Sequence, residues 1–197
     1  MKTLVVHAHP NTESFNASLF RLAVDTLKKG GHEVETIDLY AEGFDPVMTL
    51  EERKAYLDCP DWLVARFQGH ISKLKAAEHL VFVYPTWWNG MPAIMKGWLD
   101  RVWLPLLTFE PASRKGDMAR SHMRHIRQFT VVTHGGSPGW WLKLMGDPHR
   151  KILMRAVRVL FSVTCRARWL QLHDMNTVTQ RDRERFSARV LRTLAAV

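Results

Sequence analysis

Cysteine is scarce: Cys59 and Cys165 are the only two in 197 residues, and they lie far apart in the chain. With no C-x-x-C pair and no Cys/His finger spacing, neither a disulfide scaffold nor a structural zinc site is expected, and a reducing compartment, the cytoplasm, suits the chain. Long apolar runs are missing as well. The purest, Leu80 to Tyr84, is the size of a strand and well short of the roughly 18 residues of a membrane-spanning helix, so no stable membrane insertion is expected. The apolar segment from Thr3 to Ala8 is shorter than the usual core of a secretion signal, and no small-residue cleavage site follows it. Glycine and proline are modest, at eleven and nine, and the chain is 46% apolar and 24% charged. These values exclude disordered and fibrous classes and leave one globular domain over residues 1–197. Several catalytic signatures are also absent: no G-x-G-x-x-G, no G-x-x-x-x-G-K-[ST], no G-x-S-x-G and no H-E-x-x-H.

Charge is present in excess and unevenly placed. The net charge is +9. Residues 1–112 carry 11 Lys/Arg against 14 Asp/Glu, whereas residues 113–197 carry 17 against 5. A basic half of this kind invites an anion: a phosphorylated cofactor, nucleic acid, acidic lipid or an acidic partner. The arginines of the tail, Arg181, Arg183, Arg185, Arg189 and Arg192, read most simply as the solvated face of a last helix, and with no recognition motif beside them nucleic-acid binding is not expected.

Periodicity gives alternating strands and helices. Leu4-Val5-Val6 reads as a strand, His9 to Ser14 as a loop, and Phe15, Leu19, Leu22 and Leu27 as the apolar stripe of a helix ended by Gly30-Gly31. A strand at Val34 to Leu39 follows, then a capping box Thr49-x-x-Glu52 and one crossover helix carrying Leu63, Phe67, Ile71 and Leu74. Leu80 to Tyr84 has the continuous apolar character of a parallel strand buried on both faces. A helix opening at Pro92, a strand at Phe129 to Thr133, a helix over Ile152 to Val163, a strand at Arg168 to Leu172 and a closing helix through Phe186 to Leu194 complete the chain. Five strands alternating with helices predict an α/β fold, a doubly wound parallel sheet with helices on both faces. Ligands of such sheets sit at the carboxyl ends of the strands, which brings together three loops: His9 to Asn16, Pro85 to Met91 and Thr133 to Trp141.

Each loop has a ligand-binding reading and a plainer one. Ser14 and Asn16 offer donors at a helix start suited to a phosphate, with His9 as a further donor or a cation; Ser14 equally reads as an ordinary N-cap. Trp87 and Trp88 can stack on a flat heteroaromatic ligand or anchor a subunit interface. Gly135 and Gly136 allow close backbone approach to a ligand, or simply a turn. His7 with His9, and His122 with His125, share possible faces but lack further ligands, so no metal is expected.

The two blocks His9-Pro10-Asn11-Thr12-Glu13-Ser14-Phe15-Asn16 and Tyr84-Pro85-Thr86-Trp87-Trp88-Asn89-Gly90-Met91-Pro92-Ala93-Ile94-Met95-Lys96-Gly97-Trp98-Leu99-Asp100-Arg101-Val102 resemble the flavodoxin-like NAD(P)H:quinone reductase family, the relatives of DT-diaphorase. The resemblance runs from Leu4 through the Gly135-Gly136 loop and fades after about Trp141. It implies a flavodoxin-like five-stranded sheet, a homodimer, and a non-covalent flavin: FMN as the first expectation, because no segment offers an adenine pocket, with FAD as the second. It places His9, Ser14, Phe15 and Asn16 at the flavin phosphate and ribityl chain, and Pro85, Thr86, Trp87, Trp88 and Asn89 along the ring system. Thr133, His134, Gly135 and Gly136 fall at the pyrimidine edge, and Asp100 at an acidic position near the cofactor.

The chain departs from the family pattern in two places. Asn89 stands where many relatives have an aromatic, and the Tyr and His that some relatives use to assist reduction have only Trp141 and His149 as counterparts. The implied activity is a two-electron, ping-pong hydride transfer from NAD(P)H through flavin to quinones or similar electrophiles. The implied alternative is a regulatory flavin-binding subunit controlling a partner such as a transport system. A Lys or Arg near the adenosine end of the dinucleotide would favour NADPH.

Overall fold

The computed structural model describes all residues from Met1 to Val197. Strand β1 (Lys2–His7), helix α1 (Phe15–Lys29) and strand β2 (Glu33–Asp38) form the first parallel unit. Ser14 caps α1, its hydroxyl accepting from the Ala17 N–H at 3.1 Å, and Gly30 with left-handed Gly31 ends it. The chain continues through α2 (Leu50–Ala55), α3 (Asp61–Arg66), α4 (Gln68–Ala76), β3 (His79–Pro85) and α5 (Ala93–Val102). A short hairpin, β4 (Phe109–Glu110) and β5 (Arg120–Ser121), which periodicity did not reveal, precedes β6 (Gln128–His134). Helices α6 (Gly139–Leu144) and α7 (Pro148–Lys151) lead into a π-helical turn, Ile152–Val157, and a 3-10 turn, Arg158–Leu160. Strand β7 (Arg166–Leu172) and helix α8 (Gln180–Ala195) finish the chain.

The five long strands are all parallel in the order β2-β1-β3-β6-β7. The chain moves outward from β1 to β2 and then returns past β1 to β3, so the loops leaving β1 and β3 diverge and open a crevice at their carboxyl ends. Alternate residues divide the core. Leu4, Val6, Leu80, Phe82, Tyr84 and Phe129 pack against α4 and α5, whereas Val5, Val81, Val83 and Val132 pack against α1 and α8.

Two helices differ from their periodicity. The stripe Leu63, Phe67, Ile71 and Leu74 is buried as expected but is split between α3 and α4, with the break at Phe67 (φ −116°, ψ 15°). The Phe67 ring lies beside Phe44 and under the Arg101 guanidinium at 5.1 Å, and this tertiary packing overrides the local helical preference. The helix expected over Ile152 to Val163 starts earlier, widens into the π turn and stops at Leu160, leaving Val163 exposed. The Ser162 N–H is taken by the Ile126 carbonyl at 3.0 Å, which draws the chain out of the helix toward β7.

Candidate functional site

The loops after β3 and β6 form one cleft of about 640 Å³. In the β3 loop, Trp87 and Gly90 exchange backbone hydrogen bonds at 3.1 and 2.9 Å around Trp88 (φ 49°) and Asn89 (φ 55°). Two successive left-handed residues make a tight primed turn. A bulky residue such as Trp88 rarely adopts that conformation, and strain of this kind gathers at functional sites. The turn leaves the Trp88 ring fully open to solvent. Asn89, which departs from the family pattern, suits the left-handed turn and accepts from the Ser137 hydroxyl at 2.9 Å.

The β6 loop is stitched to the same frame. Thr86 donates its N–H to the His134 carbonyl at 2.7 Å, and the Thr86 and Thr133 hydroxyls lie 3.0 Å apart. A Cβ at Gly135 would stand 3.1 Å from that of Thr86, so glycine permits the two loops to close up. The expected loop ends early, and Trp140 and Trp141 stand on α6 rather than in a turn. Thr86, Trp88, Asn89, Gly135, Gly136 and Trp141 line the cleft. Thr133 is buried behind Thr86, and Pro85 is buried at the end of β3.

The loop after β1 adjoins this cleft instead of lining it. His9 faces Trp87 with ring centroids 6.2 Å apart, and Phe15 faces His134 at 5.8 Å. His9 Nδ1 accepts from the Asn11 N–H at 3.0 Å. Burial lowers the pKa of His9, and burial together with the charges of His9 and Arg183 brings His134 down to about 4. His134 is therefore neutral at pH 7, and its buried Nε2 has no partner in the protein. The Ser14 side chain is committed to its cap. Asn16 is fully buried, and neither atom of its carboxamide has a partner in the protein. An unpaired buried amide costs roughly 1 to 3 kcal/mol, so its place at the start of α1 fits a ligand that supplies the missing partners.

Two expected residues lie elsewhere. His149 is turned away from the cleft: it is 4% exposed, packs edge-on against Trp169, and its Nε2 forms a 2.7 Å hydrogen bond with the Tyr84 hydroxyl. Burial holds its pKa at about 4. It is a neutral partner of Tyr84 within the core, not a proton donor at the cleft; left-handed Asp147 precedes it at the start of α7. Asp100 is ion-paired with Lys96 at 2.6 Å on α5 and is not part of the cleft wall. The paired histidines also diverge: His7 bonds to Asp38 and stacks on Phe20, while His122 approaches Glu110 and His125 approaches the Leu74 carbonyl.

Sequence reasoning missed Gln171, Asn176 and Arg183. The first two line the cleft, and Arg183 lies 5.8 Å over the Phe15 ring with its buried Nε unpartnered. The strand-end rule that selected the other loops also applies to β7 and would have found Gln171 and Asn176. By periodicity Arg183 belongs to the solvated face of α8, but it shares a recess of about 450 Å³ with Ser14 and Phe15.

Comparison with known proteins agrees with this geometry. A family model described as a flavodoxin-like fold matches residues 1–193. NAD(P)H dehydrogenase (quinone) 1 of Rattus norvegicus is 34% identical over 151 residues, covering 69% of this chain and 54% of its own. Ribosyldihydronicotinamide dehydrogenase (quinone) of Pongo abelii is 34% identical over 116 residues, covering 51% of this chain and 50% of its own. The chain thus spans about half the length of these relatives. The crystal structure of Smu.1420 from Streptococcus mutans UA159 superposes with a TM-score of 0.85 at 28% identity, covering 100% of both chains. With the parallel order β2-β1-β3-β6-β7 and a family match over nearly its whole length, the chain belongs to the flavodoxin-like fold family that this model describes.

Proposed function

We propose that the protein is a flavin-dependent NAD(P)H:quinone oxidoreductase, with FMN as the flavin. The observation that carries this reading is the pairing of an aromatic-walled cleft with the orphaned Asn16 carboxamide at the adjoining helix start. A planar ring with a phosphate-bearing tail suits both features. Asn16, Phe15 and the first-turn N–H groups of α1 would hold the tail, with the Arg183 recess beside them. Thr86, Asn89, Gly135 and Gly136 would address the polar edge of the ring, and Trp88 and Trp141 would flank the open face.

When bound, the flavin supplies hydride acceptance from NAD(P)H and two-electron donation to a quinone. The chain's own contribution is positioning. The stitched loops fix the ring site, and neutral His134 offers a hydrogen bond without adding charge. One open mouth serves dinucleotide and quinone in turn, which gives ping-pong kinetics. The solvent-exposed Trp88, with exposed Trp62, Leu50 and Leu57, supports a homodimer that covers these side chains. Two free cysteines support a reducing, cytoplasmic location.

The test is anaerobic stopped-flow on flavin-loaded protein, mixed first with NADPH or NADH and then with a benzoquinone while flavin absorbance is followed. Rapid bleaching and rapid recovery are expected. A bound flavin that neither dinucleotide bleaches would overturn the reading and favour the regulatory subunit.

A further inference from the structure

Beyond the cleft, helix α7 and the π turn after it carry a one-signed face. Arg150, Lys151 and Arg155 are exposed, and together with Asp147 and Met154 they line a concavity of about 330 Å³. Their spacing at positions 147, 150, 151, 154 and 155 puts them on one side of a helical turn. None of the three cations takes part in an ion pair. Asp147 is the single carboxylate against them. Folding leaves this charge without a use.

The concavity adjoins the cleft directly. Leu142, in the cleft wall, accepts from the N–H of Asp147 at 2.7 Å. Gly146 makes the turn between α6 and α7 in the left-handed conformation (φ 80°), and the Lys151 ammonium lies 3.2 Å from where a Cβ there would stand. The Lys151 ammonium therefore lies over the connection between α6 and α7. The other recesses near the cleft that carry arginine are different: Asp174 and Asp182 share the one at Arg185 and Arg189, with Asp182 paired to Arg185, and Glu13 and Glu184 share the one at Arg183. Charge balance leaves the α7 face as the one open to a strong anion.

We infer that Arg150, Lys151 and Arg155 receive the 2′-phosphate of NADPH and make the protein prefer NADPH over NADH. The inference rests on the proposed dinucleotide-dependent activity and names which dinucleotide the chain selects. A nicotinamide held in the cleft sends the remainder of the molecule outward over the rim, and α6 leads that rim to the α7 face. The phosphomonoester carries close to two charges at pH 7, and it is the one group that distinguishes the two dinucleotides. Guanidinium forks match its oxygens, and Lys151 adds a point charge.

The experiment uses the full flavin-loaded chain and the triple variant Arg150→Gln, Lys151→Gln, Arg155→Gln. The three side chains are exposed and unpaired, so the substitutions leave the core untouched. The ratio of kcat/KM for NADPH to that for NADH is expected to fall about tenfold, the sum of three solvent-screened contacts, and the wild-type preference is expected to shrink as salt rises. Calorimetric titration with 2′,5′-ADP is expected to show binding to the wild type that the variant loses, with 5′-AMP weaker on both.

These readouts separate the two readings. Calorimetric binding that the variant loses supports the site even where no turnover is seen. Turnover with both dinucleotides at an unaltered ratio, together with no 2′,5′-ADP binding, overturns the site alone. Sedimentation with phosphatidylglycerol vesicles that the variant abolishes, without a change in the dinucleotide ratio, would overturn it too and assign the face to a membrane surface.

Discussion

Asn16 separates binding from stability at a single residue. Its carboxamide is buried without partners in the protein, so in the flavin-free state it contributes a desolvation cost rather than a bond. Asn16→Ala removes that cost along with a small packed volume, and these oppose each other. The flavin-free variant is expected to unfold within about 1 kcal/mol of the parent, while its flavin affinity falls about tenfold or more. Flavin fluorescence titration and urea unfolding of the same preparations check both halves; equal affinity in the two proteins would remove Asn16 from the site. Tyr84 tests the corrected place of His149. Tyr84→Phe leaves the His149 Nε2 without its 2.7 Å partner, which is expected to cost roughly 1 to 3 kcal/mol without moving the pH dependence of flavin reduction. A displaced pH profile would return His149 to the chemistry. The resemblance supplied residue types at this site, but the direction each side chain takes was not legible in sequence. Left-handed Asp147 precedes His149, and nothing in its local sequence marks that conformation.

Among the elements, the excursion from Tyr40 to Pro60 shows which features were legible. Its capping box was, because Thr49 and Glu52 satisfy each other across three residues. The second role of Glu52 was not, because its partner is 49 residues away: Arg101 on α5 donates to it from Nη2 at 2.6 Å and from Nε at 3.1 Å, and Arg66 adds a contact at 2.7 Å. Burial pushes the Glu52 carboxyl up, but Arg101, the Thr49 N–H and Arg66 outweigh it and bring it down to about 2. Gly97 lets Pro46 lie directly against the same helix, where a Cβ would meet Pro46 backbone. The excursion is thus clamped to the helix that follows the Trp88 turn. Arg101→Met takes from a carboxylate that is 2% exposed its buried cation, leaving it only Arg66 and the Thr49 N–H, and is expected to cost about 3 kcal/mol. The pair Glu52→Leu with Arg101→Met is expected to cost clearly less than the single change, since no buried charge is then left alone. Urea midpoints of the three proteins decide it, and a double variant no more stable than Arg101→Met would refute the clamp. The break at Phe67 and the π turn after Lys151 escaped the reading of periodicity for the same reason: contacts distant in sequence set them.

For the molecule as a whole, buried histidines set the acid limit of stability. Burial, with the charges of Arg168 and His32, lowers His79 to about 3; burial, with the charges of His9 and Arg183, lowers His134 to about 4; and burial lowers His149 to about 4, all from an ordinary 6.5. The native protein keeps all three neutral while the unfolded chain protonates them. Unfolding therefore takes up protons below pH 6.5, and the stability present above that value is lost as pH falls toward 4 and then 3. Each histidine contributes a slope of about 1.4 kcal/mol per pH unit in this window, so flavin-free protein is expected to lose roughly 5 to 6 kcal/mol between pH 7 and pH 5. Glu52 adds nothing there, because its own loss begins below its ordinary 4.5 and runs down to about 2. Self-repulsion in a chain of net charge +9 would also grow on acidification, but salt distinguishes the two causes. Repulsion between surface charges is screened within about 10 Å at 0.1 M salt, whereas the cost of charging a buried imidazole is not. Urea unfolding at pH 7 and pH 5, in low and high salt, should show a loss that persists in high salt and falls by about a third in His149→Phe. A loss that salt abolishes would attribute acid sensitivity to net charge, and the three buried histidines would then take up protons alike in the native and unfolded states.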